Sequence, residues 1–321
     1  MGFYYFCLVK GTVIKSTGNW YIVLAEGGEK INCRIKGRLR IDGYKSTNPI
    51  AVGDKVSISL ETDGNGIISS VGKRKNCIIR KSKNLSKQSH ILATNVDQAL
   101  LIVTLAVPKT SFGFIDRFLA TAEAYRIPAV LIFNKADIFE DDEIMNKDLK
   151  NTMGIYEKVE YKCFSVCSIN MNEATKEKMI SLLKNKTTLL SGHSGVGKST
   201  FVNAIEPSLN LKTQNISDAH LKGTHTTTFT EMHPLSFRGY IIDTPGIKEF
   251  SVINIEKHEV SHFFSEIFKK ADDCKFHTCL HISEPKCAVI EAVEKGEIAL
   301  SRYHSYLSIM NGEEVIKEYN D

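Results

Sequence analysis

The chain has 321 residues, which suggests two or three domains rather than one. Its 42% hydrophobic and 24% charged residues are ordinary for a soluble globular protein, and no apolar run is long enough to span a bilayer, so we expect no membrane partner. Residues 1–8 are apolar but lack a basic start and a small-residue cleavage site, and they therefore predict no signal peptide.

The net charge of +4 is distributed unevenly along the chain. Residues 1–90 carry 16 Lys and Arg against 6 Asp and Glu, whereas the remaining residues carry 25 against 31. A basic amino-terminal third favours a polyanionic partner, and RNA is the obvious one. The alternative is a solvated basic face without a partner.

Residues 1–72 are predicted to form an RNA-binding barrel. Short strand-like segments alternate there with turns that contain Gly and Asn, and four of these segments are residues 10–15, 20–25, 30–35 and 55–60. Short strands with this punctuation suit a small closed β-barrel, for which the OB-fold is the natural candidate. An SH3-like barrel fits the pattern about as well.

Residues 73–254 are predicted to form an α/β domain that begins with a basic linker, residues 73–90. Continuous apolar runs are typical of buried parallel strands, and helix-like segments alternate with them. The predicted strands are 99–104, 129–133, 161–165, 187–191 and 240–242, and the first two helices are 113–125 and 142–153. The pattern becomes helical after residue 255, which predicts a third domain at 255–321.

A phosphate-binding loop is predicted at residues 192–199, which match Gly-x-x-x-x-Gly-Lys-Ser between a predicted strand and a predicted helix. The glycines let backbone N–H groups turn onto phosphate oxygens, and the helix N-terminus adds its dipole. We expect Lys198 to reach the β- and γ-phosphates and Ser199 to bind Mg²⁺. The nucleotide contacts predicted here are Gly192, His193, Ser194, Gly195, Val196, Gly197, Lys198, Ser199 and Thr200.

A guanine-binding segment is predicted directly after the second buried strand. A carboxylate at its last position can accept hydrogen bonds from N1–H and from the exocyclic amine of guanine, whereas adenine offers neither donor there. The next strand ends where GTPases place a loop that offers a backbone N–H to guanine O6. The predicted base contacts are Asn134, Lys135, Ala136 and Asp137, with Ser165 and Val166 from that next strand. GTP and GDP are therefore the expected ligands.

Two further segments are predicted to act as switches. Asp243 would hold Mg²⁺ through water, and the N–H of Gly246 would sense the γ-phosphate. Either Thr226 or Thr227 would close onto Mg²⁺ when GTP is bound. Many GTPases place a Gln after this glycine to orient the attacking water, but Ile247 stands here, so we predict slow unaided hydrolysis and leave the catalytic residue unassigned.

The order of these segments predicts a circular permutation. The guanine-binding segment comes first, the phosphate-binding loop second and Asp243 third. In an ordinary GTPase the phosphate-binding loop precedes the guanine-binding segment. The fold class is therefore predicted as multidomain α/β, with an N-terminal OB-fold β-barrel, a central circularly permuted P-loop GTPase domain and a C-terminal helical zinc-binding domain.

The zinc prediction comes from a cluster near the end of the chain. Cys274, Cys279, His281 and Cys287 supply four soft or borderline ligands, which suit a tetrahedral, structural Zn²⁺. His277 lies in the same loop and is an alternative ligand. The spacing favours His281, because it follows Cys279 closely.

The combination resembles the RsgA (YjeQ) family, the circularly permuted GTPases of small-ribosomal-subunit biogenesis. The matching segments cover nearly the whole chain and are residues 11–13, 48–54, 95–98, 134–137, 192–200, 225–228, 243–246, the Cys/His loop and 301–303. The resemblance implies a cytoplasmic GTPase that binds the 30S subunit and its rRNA late in maturation and is stimulated by the subunit. It also implies that the barrel and the zinc domain hold the RNA. We expect a monomer.

One position departs from the family pattern, because Asn254 stands where some members carry a His proposed to be catalytic. Two other functions compete with the GTPase. One is a P-loop ATPase or kinase, which Asn134 and Asp137 argue against. The other is an RNA-binding module in which GTP only locks a conformation.

Overall fold

The structure is a computed structural model that describes residues 8–35, 49–81, 89–140, 142–211, 230–243 and 256–312. Within these ranges, no helix combines the length and the apolar character needed to pass through a bilayer.

The amino-terminal part of the chain forms a closed five-stranded barrel. Strands β1 (Leu8–Ser16), β2 (Tyr21–Ala25), β3 (Lys30–Ile35), β5 (Gly66–Val71) and β4 (Lys55–Leu60) are neighbours in that order, and β4 pairs back with β1. All pairs are antiparallel except β3 with β5. Alternate side chains such as Tyr21, Val23 and Ala25 point inward, as a half-buried strand requires. Closure and strand order agree with the predicted OB-fold rather than the SH3-like alternative.

The structure differs from the linker expected over residues 73–90. Strand β6 (Cys77–Lys81) pairs antiparallel with β7 (Ser89–Thr94) in a separate two-stranded sheet. The reason is that apolar residues occur within the basic stretch, and Ile78 is 2% exposed in the core of the α/β domain. The many basic residues around β6 made this segment resemble a linker in the sequence. The divisions 1–72, 73–254 and 255–321 remain predictions.

A buried ion pair joins this region to the barrel. Arg74 donates from Nε and Nη2 to the Asp54 carboxylate at 2.7 and 2.6 Å, and Thr94 Oγ1 donates to the same carboxylate at 2.8 Å. The Asp54 side chain is fully buried, and its charge is balanced by Arg74. Val52 of the barrel also forms a parallel bridge with Ala93 of β7. The barrel is thereby fixed to the sheet that follows it.

The central sheet carries the predicted nucleotide segments. Its order is β10 (Lys162–Val166), β9 (Ala129–Asn134), β8 (Gln98–Val103), β11 (Thr187–Ser191), β13 (Tyr240–Asp243) and β12 (Glu231–Pro234), and all pairs are parallel except β13 with β12. Strand β12 continues into the barrel sheet through the pair Lys15–Glu231. The carboxyl ends of β8, β9, β10, β11 and β13 therefore share one edge, where α/β sheets bind ligands.

Helices cover both faces of this sheet. In β8, Ala99, Leu101 and Val103 pack with α1 (Phe112–Ala124) and α3 (Glu143–Lys158), whereas Leu100 and Ile102 pack with α4 (Glu173–Leu183) and α5 (Lys198–Ile205). Burial on both faces explains why these strands are continuously apolar in the sequence. A short helix, α2 (Asp137–Glu140), follows β9.

The carboxyl-terminal part is helical and packs on α1. It contains a 3-10 helix (Lys257–Phe263), α6 (Ser265–Ala271), α7 (Ala288–Glu294) and α8 (Leu300–Met310). Phe264 is extended between the first two helices, because its fully buried ring packs against Tyr306 and the Arg302 guanidinium. Ala120 of α1 belongs to the same apolar core. Helix α1 thus joins the C-terminal part to the α/β domain.

Candidate functional site

The phosphate-binding loop runs from β11 to α5 in a conformation that requires glycine. Gly192, Gly195 and Gly197 all have positive φ, of 145°, 81° and 95°. A Cβ at Gly192 would lie 2.3 Å from the carbonyl oxygen of Ile102, and one at Gly197 would lie 2.3 Å from Asn134 Nδ2. Hence the fixed glycines of the motif are explained by close approach of neighbouring strands and loops as well as by backbone rotation.

Lys198 lies across this loop at the start of α5. Its Nζ donates to the carbonyl oxygens of Gly192 at 2.7 Å and His193 at 2.9 Å. Ser199 and Thr200 follow in the first turn of the helix, and both are half-buried. A lysine ammonium and a helix N-terminus therefore meet at one point, which is the arrangement that stabilises a phosphate.

Asn134 joins the guanine-binding segment to the phosphate-binding loop. Its Nδ2 donates to the carbonyl oxygen of Val196 at 2.8 Å, and its Oδ1 accepts from the backbone N and the Oγ of Ser168 at 3.1 and 2.7 Å. The side chain is buried, so all of its polar atoms depend on these partners. Three segments that are far apart in the sequence thus meet at one amide.

The other residues of the guanine-binding segment leave its carboxylate open. Lys135 has φ of 62° and donates from Nζ to the carbonyl oxygen of Val107 at 2.6 Å, while burial lowers the pKa of its ammonium. The Ala136 N–H donates to the carbonyl oxygen of Val166 at 3.1 Å. Asp137 is exposed at the start of α2. Its carboxylate can therefore accept donors from a base that lies over the loop.

Ser165 and Val166, the predicted contacts from the next strand, lie at the carboxyl end of that strand, and their contact with the base stays a prediction. Both belong to β10, which extends one residue beyond the predicted end, and Val166 pairs with Asn134 across the sheet. The next two residues face the guanine-binding segment. Cys167 lies beside Asp137, and the pKa of its thiol is raised chiefly by burial and also by the Asp137 carboxylate. Ser168 is the partner of Asn134 described above. The sequence prediction assigned no contact to either residue, because their place next to Asn134 and Asp137 depends on β9 and β10 ending at the same level of the sheet.

Most of the predicted switch residues lie outside the described residues. These are Thr226, Thr227 and Gly246, together with Ile247 and Asn254. The backbone of Asp243 is described and ends β13, where it pairs with Leu190 of β11. Strand β11 leads directly into the phosphate-binding loop. The backbone of Asp243 therefore lies at the edge of the sheet next to this loop, where Mg²⁺ would be needed.

The four predicted zinc ligands form one compact cluster. The ligand atoms of Cys274, Cys279, His281 and Cys287 all lie within 4.8 Å of one another. Cys274 Sγ is 3.9 Å from Cys287 Sγ, and His281 Nδ1 is 3.6 Å from Cys274 Sγ and 3.5 Å from Cys287 Sγ. Tetrahedral zinc with Zn–S bonds of about 2.3 Å places two sulfur ligands about 3.8 Å apart. The set therefore fits zinc, with His281 bound through Nδ1, and His277 is not among the clustered ligands.

Neighbouring groups hold the backbone of this cluster in place. Tyr303 and Tyr306 of α8 donate from their hydroxyls to the carbonyl oxygens of His281 and Leu280, both at 2.7 Å. Glu284 accepts from the backbone N–H groups of Leu280, Ile282 and Ser283. Burial opposes ionisation of Glu284, but backbone donors prevail and lower its pKa to about 2. These hydrogen bonds to its backbone therefore order the loop in addition to the four predicted ligands.

Comparison with known proteins identifies the family. The protein-family model described as RsgA GTPase matches residues 71–253 of this chain. A second family model, the RsgA N-terminal domain, matches residues 10–68. The chain belongs to the RsgA family. Its relatives include small ribosomal subunit biogenesis GTPases RsgA from Christiangramia forsetii, 53% identical, and Phocaeicola vulgatus, 54% identical, and each match covers 95% of this chain and 97% of the relative.

Solved structures agree with this assignment. YjeQ from Thermotoga maritima is 34% identical with a TM-score of 0.74, and the match covers 95% of this chain and 98% of YjeQ. YloQ, described as a circularly permuted GTPase, is 29% identical with a TM-score of 0.73, and the match covers 97% of both chains. As a member of the RsgA family the chain is a GTP hydrolase, and the predicted permuted fold is confirmed.

Proposed function

We propose that this GTP hydrolase binds the 30S ribosomal subunit and assists its late maturation. The observation that carries the proposal is the Asn134 amide, which hydrogen-bonds to Val196 of the phosphate-binding loop and to Ser168 within a chain of the RsgA family. A nucleotide-dependent switch requires a base site and a phosphate site in one pocket. The names of the relatives support the ribosomal subunit as the partner.

In this proposal the phosphate-binding loop, residues 192–200, holds the phosphates. Residues 134–137 contact guanine, and Ser165 and Val166 lie next to the base together with Cys167 and Ser168. The hydroxyl of Ser199 and the carboxylate of Asp243 would hold Mg²⁺, which screens phosphate charge when bound. Thr226, Thr227 and Gly246 retain their proposed switch roles.

The Asp137→Asn variant is expected to change the base preference. An amide presents a donor where the carboxylate presented only acceptors, so the amine of guanine loses its partner, whereas the 2-carbonyl of xanthine gains a donor. We expect GTP affinity to fall by about a hundredfold or more and XTP affinity to rise above it. Direct titrations with fluorescent GDP and with fluorescent XDP measure the change.

Asp148→Asn is the matched control, because Asp148 is exposed on α3 and carries the same charge change. It is expected to keep the preference of the unmodified protein. Equal binding of GTP by Asp137→Asn and by the control would show that Asp137 does not contact guanine.

The RNA-binding part of the proposal rests on charge and fold. Ten more basic than acidic residues lie within residues 1–90, and the OB-fold is one of the barrels that bind oligonucleotides. The barrel and the Cys/His domain would hold rRNA, with one structural Zn²⁺ in that domain. We further propose that the protein acts as a monomer in the cytoplasm.

Hydrolysis is expected to be slow for the isolated protein and faster on the subunit. Ile247 stands where many GTPases place a Gln, so the chain has no such side chain there to orient water. We expect purified 30S subunits to raise single-turnover GTP hydrolysis by about tenfold or more. Purified 50S subunits are the matched control. Fast hydrolysis without subunits, or no increase with 30S subunits, would contradict the proposal, and the second outcome would favour GTP as a conformational lock only.

A further inference from the structure

Helix α1 contacts the phosphate-binding loop through an aromatic pair. The rings of Phe114 and His193 have centroids 3.8 Å apart and planes inclined at 32°. Phe114 is a core residue of the α/β domain, so its position follows that of α1. The carbonyl oxygen of His193 accepts a hydrogen bond from Lys198 at 2.9 Å. A short path therefore leads from the first turn of α1 to the lysine proposed to hold the phosphates.

The same helix is held by the C-terminal part of the chain. Asp116, two residues beyond Phe114, accepts from Arg302 Nη1 at 2.8 Å, and both side chains are buried. Arg302 also donates from Nε to Glu266 at 2.7 Å, and its guanidinium lies 4.6 Å from the Phe264 ring centroid. Arg302 is thus fixed to α6 and α8 and reaches across to α1. Separating Arg302 from Asp116 would leave a buried carboxylate without its countercharge, so the two parts move together at this point.

The carboxyl-terminal end of α1 is connected to the barrel through the two-stranded sheet of β6 and β7. The Tyr125 hydroxyl, directly after the helix, accepts from the backbone N of Ile79 at 3.1 Å and donates to the Ile79 carbonyl oxygen at 2.9 Å. Ile79 belongs to β6, and its partner strand β7 bridges to Val52 of the barrel. Consequently α1 links the phosphate-binding loop to both parts of the chain proposed to hold RNA.

The contact between α1 and α8 is tight at the ion pair and open beside the nucleotide loop. A cavity of about 510 Å³ separates the first turn of α1 and His193 from α8. Its α8 wall contains Ser301, His304, Ser305 and Ser308. Close-packed interiors resist displacement, whereas an open volume lets a helix end move without collision. On its α8 side the amino-terminal end of α1 therefore has space for a small tilt about the buried Asp116–Arg302 pair, while Phe114 and Ile115 pack its other side against the sheet.

We propose that Phe114 is a positioning residue for GTP hydrolysis. Through His193 it transmits the position of the C-terminal part to the phosphate-binding loop, so that a partner holding that part changes GTP turnover. The inference rests on the proposed function in one respect, which is that this partner is the 30S subunit. Coupling of this kind needs two sites and an element whose position both sites affect, and α1 meets that requirement.

The Phe114→Leu variant tests the inference through the ratio of single-turnover hydrolysis with and without 30S subunits. Loss of the ring contact is expected to lower this ratio by about fivefold or more, with unchanged affinity for 30S subunits. Phe114→Tyr keeps the ring contact with His193 and is expected to restore the ratio. Phe237→Leu, in the β12–β13 turn, is the control for the same loss of side chain elsewhere.

The Ser308→Trp variant addresses the same motion without changing the core or the nucleotide loop. An indole in the cavity would block the tilt of α1, so the ratio is again expected to fall by about fivefold. If Phe114→Leu and Ser308→Trp both keep the ratio of the unmodified protein, the inference is wrong. If the Phe114→Leu variant does not fold, the ratio measured for Ser308→Trp alone tests the inference.

A separate measurement distinguishes failure of the inference from failure of the proposed function. If 30S subunits do not stimulate the unmodified protein, the proposed function fails, and release of fluorescent GDP decides the inference. Phe114→Leu, Arg302→Lys and the double variant form a cycle for this rate. Non-additivity of about fivefold supports transmission through α1, and additive effects overturn it.

Discussion

Gly197→Ala is expected to lower GTP and GDP affinity by about thirtyfold or more, which corresponds to at least about 2 kcal/mol. Gly197 has φ of 95°, and a Cβ there would lie 2.3 Å from Asn134 Nδ2. A non-glycine residue in a left-handed conformation costs about 1–2 kcal/mol. Displacing Asn134 costs about 1–3 kcal/mol more, because the buried carbonyl of Val196 loses its donor. Titration with a fluorescent nucleotide measures the affinity.

Gly154→Ala is the control for this substitution. Gly154 lies within α3, and a Cβ there would meet nothing within 4 Å. Alanine is a better helix former than glycine by about 1 kcal/mol, so the control should unfold at a slightly higher temperature and bind nucleotide normally. Normal nucleotide binding by Gly197→Ala would show that the contact between Asn134 and the phosphate-binding loop does not form the nucleotide site.

Removing the metal from the Cys/His cluster is expected to unfold the C-terminal part of the chain. Cys287 is 4% exposed and belongs to the apolar core of the helices after residue 256. Structural zinc contributes about 10–16 kcal/mol to the folding of small zinc domains. A chelator, or Cys287→Ser, should therefore abolish amide-exchange protection in α6, α7 and α8 but preserve it in the barrel. Metal analysis should find one zinc per chain before treatment.

His277→Ala is the matched control, since His277 lies in the same loop and outside the four-ligand cluster. It is expected to retain both the metal and the exchange protection, whereas His281→Ala should lose both. A chain that binds no zinc, or that keeps its protection after chelation, would contradict the structural role of the cluster.

The nucleotide segments could be predicted from sequence because each motif is local and its chemistry is restrictive. Glycines at 192 and 197 are required by close contacts, and the ligands at 274–287 lie within one short loop. The predicted permutation also followed from local motifs, because only their order along the chain was needed.

The remaining features depend on contacts between distant segments, which no local pattern reveals. Ser168 contacts Asn134 only because β9 and β10 end at the same level. Strand β6 was hidden by the basic residues around it, and the buried pair of Asp116 and Arg302 joins helices that are far apart in the sequence. The tertiary partner, rather than the residue type, decides the role in each case.

The bridge between Lys15 of β1 and Glu231 of β12 determines how the protein can be divided experimentally. Strand β12 is the last strand of the nucleotide-binding sheet, and the barrel covers part of its outer side. A fragment that begins after the barrel would expose these backbone donors and acceptors to other molecules, and exposed edges of this kind promote aggregation. Poor solubility of such a fragment would therefore reflect a severed sheet rather than an unstable nucleotide-binding fold.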